Sequence, residues 1–383
     1  MTRPRVLHLG KFYPPQKGGM ETHLRELCQS LADQFDIDVI VANTKRHNEH
    51  DYDGRIRVHR IGKMDMFAST ALCPELISAI GRTPADIVHL HLPNPSAVLA
   101  YLVAGHPGRL IVTHHSDVAC HHLMNALFRP ALNMVLSRSQ AIIAFSPNHI
   151  DKSHELRLYR NKSHVIPHGL NSSDFENSHT GDAAKIQARY GSNIVLAVGR
   201  LVYYKGLDVL IQAITGTAAT LLIIGKGPLQ PQLEDVARKS GAASHVHFLG
   251  EVTDPFPYYQ AARIFALPSI SKSEAFGIVQ LEAMACGTPV VNTNLPSGVP
   301  YVSIHGTSGL TVAPGDVSAL RQAINMLLKD DALHSRLSQG ARQRFEEKFT
   351  AKQMATQTTH LYQEVLRRPS ISNHSRKLRP AYA

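Results

Sequence analysis

The chain has little that would anchor, staple or thread it. Four cysteines occur in 383 residues, and Cys28, Cys73, Cys120 and Cys286 show no C-x-x-C spacing, so they read as reduced cytosolic thiols. No apolar run is long enough for a bilayer. The longest, near Ala97–Ala104, falls far short of the roughly 20 residues a spanning helix needs. The opening MTRPRVLHLGKF has charges but no following apolar stretch, and reads as a short strand rather than a secretory leader. There is no low-complexity tract. Basic residues are not interleaved with aromatics, which total 6%, and no nucleic-acid motif accompanies them. What remains, 43% hydrophobic and 18% charged residues, is the composition of a soluble globular protein, long enough for two domains.

The formal charge of +10 is uneven. Residues 1–170 carry 19 Lys and Arg against 14 Asp and Glu, residues 171–366 carry 16 against 16, and the tail from Arg367 carries five against none. A neutral rear half between a basic front half and a basic tail suits a cytoplasmic enzyme resting on the inner face of an anionic membrane. A tail that only aids solubility is the plainer alternative.

Apolar strand-like runs alternate with helix-like stretches, the pattern of parallel sheets covered by helices. Strands are expected at Val6–Gly10, Ile37–Val41, Val58–Ile61, Ile87–His91, Leu110–His114, Ala141–Phe145 and Val165–Ile166 in the front half. In the rear half they are expected at Ile194–Val198, Thr220–Ile224, Val246–Phe248, Ile264–Leu267 and Pro289–Asn292. The polar stretch Asn171–Gly181 reads as a linker, which divides the chain into domains 1–170 and 171–366 and a basic tail 367–383 without an ordered element. A final helix is expected over about Ala332–Leu366. Each half opens with a strand leading to a glycine-containing turn and a helix, so ligand is expected at the carboxyl ends of the strands of two doubly wound α/β domains.

The most informative stretch is Ser273–Pro289. Glu274 and Glu282 stand eight apart around Phe276-Gly277 and an apolar run that reads as a short buried helix, with Gly287 at its C′ position and Pro289 beyond. A carboxylate in such a helix wants a hydrogen-bonding partner, and a pair of ligand hydroxyls would serve. The amides around Phe276, Gly277, Ile278 and Val279 would be the open N–H groups of a helix start, where an anion sits well. A buried helix with one wet glutamate is the bland alternative.

This E-x7-E strip resembles the donor-sugar motif of retaining glycosyltransferases of GT-B family four. Gly199-Arg200-Leu201-Val202-Tyr203-Tyr204-Lys205-Gly206, Ile224-Gly225-Lys226-Gly227-Pro228, Gly309-Leu310 and Pro314-Gly315-Asp316 match too, in family order. The resemblance runs from Gly18 to about Asp316. It implies a GT-B fold, two Rossmann-like doubly wound domains facing a cleft, with a last helix crossing back to the front domain. It implies catalytic roles for Arg200 and Lys205 at the departing diphosphate, for Glu274 at the sugar hydroxyls, and for His115 near the anomeric carbon. Glu282 would hold the ribose. Gly18, Gly19, Gly225, Lys226, Gly227, Glu251 and Val252 would line the donor alongside Phe276, Gly277, Ile278 and Val279.

For the acceptor, His91, Asn94 and Ser96 follow a strand and are expected to face the cleft, with Asp117 nearby. His121–Leu136 mixes Met, Leu, Phe and Arg129, and reads as core packing, or as a face lying against lipid or covering the acceptor. His89, His91, His114, His115, His121 and His122 invite a zinc reading, but no pair has the spacing of a helical ligand set. The resemblance implies a reaction without bound metal or other cofactor. The partners it implies are a nucleotide-diphosphate sugar, with GDP-mannose slightly ahead of UDP-sugars, and a glycan or lipid-linked acceptor in polysaccharide synthesis. Two rival readings are a non-hydrolysing nucleotide-sugar epimerase of the same fold and a non-catalytic sugar-binding protein.

Overall fold

The structure, a computed structural model, describes residues 3–16, 18–67, 70–117, 122–172, 175 and 180–368. Most of the stretch 171–181 read as a linker, and the tail from Pro369, lie outside the described residues, as do Cys120 and His121.

The first sheet contains β1 (Arg5–Leu9), β2 (Asp36–Ala42), β3 (Glu49–Asp53), β4 (Ile56–Ile61), β7 (Ile87–Leu92), β8 (Arg109–His114), β9 (Ala141–Ala144) and β10 (Ser163–Val165). A small hairpin of β5 (Asp65–Phe67) and β6 (Thr70–Leu72) stands apart. The strand order of the large sheet is β10-β9-β8-β7-β1-β2-β4-β3, parallel except for β3. The second sheet orders β13 (Val246–Gly250), β12 (Thr220–Ile224), β11 (Ile194–Val198), β14 (Ile264–Leu267), β15 (Val290–Thr293) and β16 (Gly309–Val312), all parallel. In each sheet the order reverses at its first strand. Loops leaving β1 and β7, and loops leaving β11 and β14, therefore diverge and leave a crevice. Those loops carry the glycine-rich and E-x7-E motifs.

The apolar strands are buried on both faces, as parallel strands under helices are: Ile194, Val195, Leu196, Leu221 and Leu222 have no accessible surface. The expected long helix over 332–366 is two helices, Asp331–Lys348 and Ala351–Arg367. The break comes at Phe349, which is fully buried, and at Thr350, whose side chain accepts from the Gln353 amide and starts the next helix.

That last helix packs on the first sheet. Met354, Ala355, Leu361, Tyr362 and Val365 share a core with Leu24, Leu27, Phe35, Ile37 and Val39. The Tyr362 hydroxyl hydrogen-bonds His89 Nδ1 at 2.5 Å, spanning 273 residues of sequence. Tyr362→Phe should cost about 1–3 kcal/mol, since it strands a buried imidazole nitrogen without creating a cavity. Urea unfolding checks this; an unchanged midpoint would mean the contact carries nothing.

Candidate active site

The rear half of the site is assembled where β11 and β14 end. After β11 the chain runs through Gly199-Arg200 to a single turn, Tyr203–Lys205, and then Gly206 at φ 62°. A Cβ on Gly206 would lie 2.2 Å from the Pro268 carbonyl oxygen, so only glycine lets the loop after β14 come this close. Ile270 N–H donates to Tyr204 O across the same seam. This proximity puts Lys205 Nζ 2.6 Å from Glu274 Oε2, with the two side chains 12% and 11% exposed. Ser269 Oγ donates to the same oxygen at 3.1 Å. Arg200 stands exposed at the mouth.

Eight residues on, Glu282 lies on the helix Val279–Ala285. The Tyr259 hydroxyl donates to its Oε2 at 2.5 Å. Burial raises the Glu282 carboxyl above its usual range, with the Tyr259 bond opposing. The helix is closed by Gly287 N–H to Met284 O and Thr288 N–H to Ala283 O, a paired stop that aligns the glutamate with the cleft wall. At its other end the 276–279 turn is braced by Gln280, fully buried, which donates to Phe276 O and accepts from Asn292. The Phe276 ring is itself buried against Phe145 and Phe349, which leaves its backbone rather than its ring to face a ligand. A Cβ on Gly19 would sit 3.2 Å from Ile278 Cδ1, so the loop after β1 reaches across to this turn beside Gly18 and Gly277.

Gly225, Lys226 and Gly227 follow β12. Gly225 N–H donates to Gly250 O at 2.7 Å, and Leu201 N–H donates to Lys226 O. Lys226 Nζ lies 3.7 Å from Glu251 Oε2, both side chains exposed, with Val252 half-buried beside them. Three loops of the rear domain are thus tied into one rim.

The front half differs from expectation. His91 is 2% exposed and lies inside β7, bonded to His8 Nδ1 through Nε2 and to His115 Nε2 through Nδ1. It faces the protein interior, not the open cleft. Asn94 is 5% exposed, and its side chain caps the helix Pro95–Ala104 by accepting from the Ala97 amide. Asp117 does face the cleft, held by the Ser153 hydroxyl. It shares a cavity of about 210 Å³ with Ser116, His149, Lys152, Lys272 and Ser297, drawn from both domains.

His115, 8% exposed, packs edge-on against Phe145 at 5.0 Å. His114 is fully buried, bonded to His149 Nε2 and to Glu155 Oε2 at 2.7 Å. In the helix His122–Arg138, Leu132, Val135 and Leu136 are core and Met134 is exposed. Tyr259, Ser269, Gln280 and His149 were not singled out in the sequence. Each supports a neighbour, and a supporting polar residue carries no motif of its own.

Comparison with known proteins bears on the family and the fold. The family of glycosyl transferases group 1 matches residues 180–344, and Glycosyltransferase Family 4 matches residues 17–174. D-rhamnosyltransferase WbpZ of Pseudomonas aeruginosa is 33% identical over 354 residues, 91% of this chain and 92% of that protein. The chain belongs to the group 1, family 4 glycosyltransferases. The O-antigen chain mannosyltransferase C of Escherichia coli is 31% identical to this glycosyltransferase, over 94% of this chain and 99% of that one. A GDP-mannose-dependent phosphatidylinositol monomannoside mannosyltransferase of Mycolicibacterium smegmatis is 28% identical, over 83% and 87%. In fold, sucrose-phosphate synthase from Thermosynechococcus elongatus superposes with a TM-score of 0.77 at 23% identity, covering 95% of this chain and 99% of that one. The two-sheet architecture is the GT-B fold. Among the described residues no helix is long and apolar enough to cross a membrane.

Proposed function

We propose that this glycosyltransferase moves a hexose from a nucleotide-diphosphate sugar to a glycan or lipid-linked acceptor in polysaccharide synthesis, with the anomeric configuration kept. The observation that carries the reading is the Lys205–Glu274 contact at 2.6 Å, a cation and a carboxylate held side by side at the strand reversal of the rear sheet. A departing diphosphate gathers negative charge, and a fixed cation favours that transition state over the ground state. Lys205 and Arg200 meet the diphosphate in this scheme. Glu274 takes sugar hydroxyls, and Glu282, already oriented by Tyr259, takes the ribose.

Asp117 is engaged with Ser153, and Glu274 with Lys205. Neither is a bare nucleophile, which favours front-face substitution in which the leaving diphosphate helps to deprotonate the incoming hydroxyl. Closure of the cleft over His115 and the 276–279 turn would exclude water, the competing acceptor. Acceptor recognition falls to Asp117 and the cavity around it rather than to His91 and Asn94. The named relatives are rhamnosyl- and mannosyltransferases, one of them GDP-mannose-dependent, which supports GDP-mannose as the first donor to test and surface polysaccharide as the first product to look for. The basic front half suits work at the inner face of a membrane.

Thermal unfolding with GDP, UDP, ADP and TDP, each with and without its common sugars, tests the donor site. One nucleotide, GDP first, should stabilise the protein, by about 2.7 kcal/mol at a hundredfold excess over its Kd. Glu282→Ala should abolish the shift. No shift from any nucleotide would remove the rear-domain site from the proposal.

A further inference from the structure

Six histidines, His8, His23, His89, His91, His115 and His168, gather behind the cleft, and one group among them has a geometry that hydrogen bonding alone leaves incomplete. His8 on β1 pairs in register with His89 on β7, and His91 lies two residues further along, so the three share one face of the sheet. His115 follows β8 beside the end of β7. His23 comes from the helix Gly19–Leu31 that packs over the same face, its ring 5.0 Å from that of His115.

We propose that His23, His91 and His115 form a binding site for a borderline transition-metal ion such as zinc. Their ligand nitrogens all lie within 4.8 Å of one another, although the residues come from three separate elements. His91 Nδ1 and His115 Nε2 are 3.2 Å apart. A tetrahedral centre with Zn–N bonds near 2.05 Å places its nitrogens roughly 3.3 Å apart, so this pair already spans one edge. His23 is 2% exposed. Its Nδ1 meets His168 Nδ1 at 2.8 Å, and its Nε2 is buried with no hydrogen-bond partner. A metal bond would satisfy that nitrogen.

The outer partners fit as well. A metal-bound imidazole ordinarily hands its other N–H to a fixed acceptor. His91, ligating through Nδ1, would donate Nε2–H to His8 Nδ1 at 3.1 Å. His23, ligating through Nε2, would donate Nδ1–H to His168. His89 is excluded, because the Tyr362 and Thr113 hydroxyls occupy both of its nitrogens. A set of three neutral imidazoles without a carboxylate selects zinc, cobalt, nickel or copper over magnesium and calcium. Where His115 serves the donor sugar, as the family resemblance implies, metal and sugar compete for it, and zinc is an inhibitor of transfer.

The test uses tag-free, metal-stripped full-length protein titrated with Co(II) and then Zn(II). One equivalent of Co(II) should give the intense visible absorption of tetrahedral cobalt, and Zn(II) should erase it. His23→Gln and His91→Gln should lose the band with unchanged far-ultraviolet circular dichroism. Glu155→Gln should keep it, although it dismantles the neighbouring group of His114, Asp117 and Glu155. Should the histidine variants misfold, ring nitrogen resonances of the wild type decide instead: Zn(II) should move those of His23, His91 and His115 and spare His89.

Absence of binding, a pale octahedral spectrum, or loss of the band in Glu155→Gln alone overturns the proposal. Metal binding that leaves transfer intact keeps the metal site and removes His115 from the sugar. Nucleotide binding without metal binding does the reverse.

Discussion

Lys205→Ala should lower kcat by about 10²- to 10³-fold, the usual effect of removing one charge-stabilising group from a transition state. Lys205 is the cation the fold holds most firmly at the end of β11: its side chain is 12% exposed and its partner Glu274 11%. Its removal acts twice. The diphosphate loses a stabilising charge as it departs, and Glu274 is left ionised with only the Ser269 hydroxyl at 3.1 Å. An uncompensated carboxylate there repels the diphosphate and weakens the fold by about 3–5 kcal/mol.

Glu274→Gln separates the two effects. It removes the repulsion and keeps an acceptor for the Ser269 hydroxyl, so the double variant should be more stable than Lys205→Ala while remaining at least as slow. That non-additivity is the mark of a contacting pair. The measurement is nucleoside diphosphate release at saturating donor, per mole of folded protein, with the donor the nucleotide screen selects. A Lys205→Ala enzyme within threefold of wild type would refute the assignment. The arrangement would then be an ordinary buried ion pair.

What the sequence made legible, and what it hid, follows from how far apart the cooperating residues lie. The rear site was readable because its parts are local. Glu274, the 276–279 turn, Glu282 and the Gly287 stop fall within a few turns of chain, and the spacing alone orients them. Buried parallel strands such as Leu221–Ile223 were readable because a run of β-branched and aliphatic residues has few other uses. β3 (Glu49–Asp53) was missed for the opposite reason. It is an edge strand of charged and polar residues, largely exposed, with no apolar alternation to betray it.

The break at Thr350 could have been seen. Thr350-Ala-Lys-Gln353 is the Ser/Thr-x-x-Gln start signal inside what looked like one long helix. The histidines could not be assembled from spacing. His8, His23, His91, His115 and His168 span 160 residues between the first and the last and meet only through the order of the strands and the packing of the helix Gly19–Leu31 over them. The helical ligand spacings that argued against a cluster do not apply to residues gathered from separate elements. The misplacement of His91 has the same root: the residue after a strand points into the cleft, but the last residues within it follow the strand's own alternation.

That cluster, together with His149 beside His114, should make the protein unusually sensitive to mild acid. Burial holds His8, His23 and His149 down to about 3 in the folded chain, against an ordinary 6.5. Above pH 6.5 both states are neutral at these rings and nothing is lost. Below it, the unfolded chain takes up protons that the folded chain refuses, so stability declines as pH falls from 6.5 toward 3. At pH 5 each of the three has cost about 2 kcal/mol, together about 6, against the 5–15 kcal/mol that holds a typical domain.

His89, His91, His115 and His168, lowered in the same direction chiefly by burial, add to the loss. Glu21 and Glu282, raised by burial, oppose it, because protonation relieves them. Two carboxyls do not offset so many imidazoles. Asp38 enters only later: burial pushes it up, but the Arg57 and His59 hydrogen bonds prevail and hold it at about 2.

The expected result is a urea midpoint that is level between pH 8 and 7 and falls steeply from pH 6.5 to 5, with His149→Asn showing a shallower decline. Far-ultraviolet circular dichroism reads it directly. Tyrosine emission gives a second probe without interference, since the chain has no tryptophan. A midpoint unchanged down to pH 5 would mean that the folded cluster accepts protons in place, shared across the His23–His168 and His8–His91 contacts at 2.8 and 3.1 Å. Imidazoles that take up protons so readily would also make poor metal ligands in mild acid, because metal and proton compete for the same lone pairs.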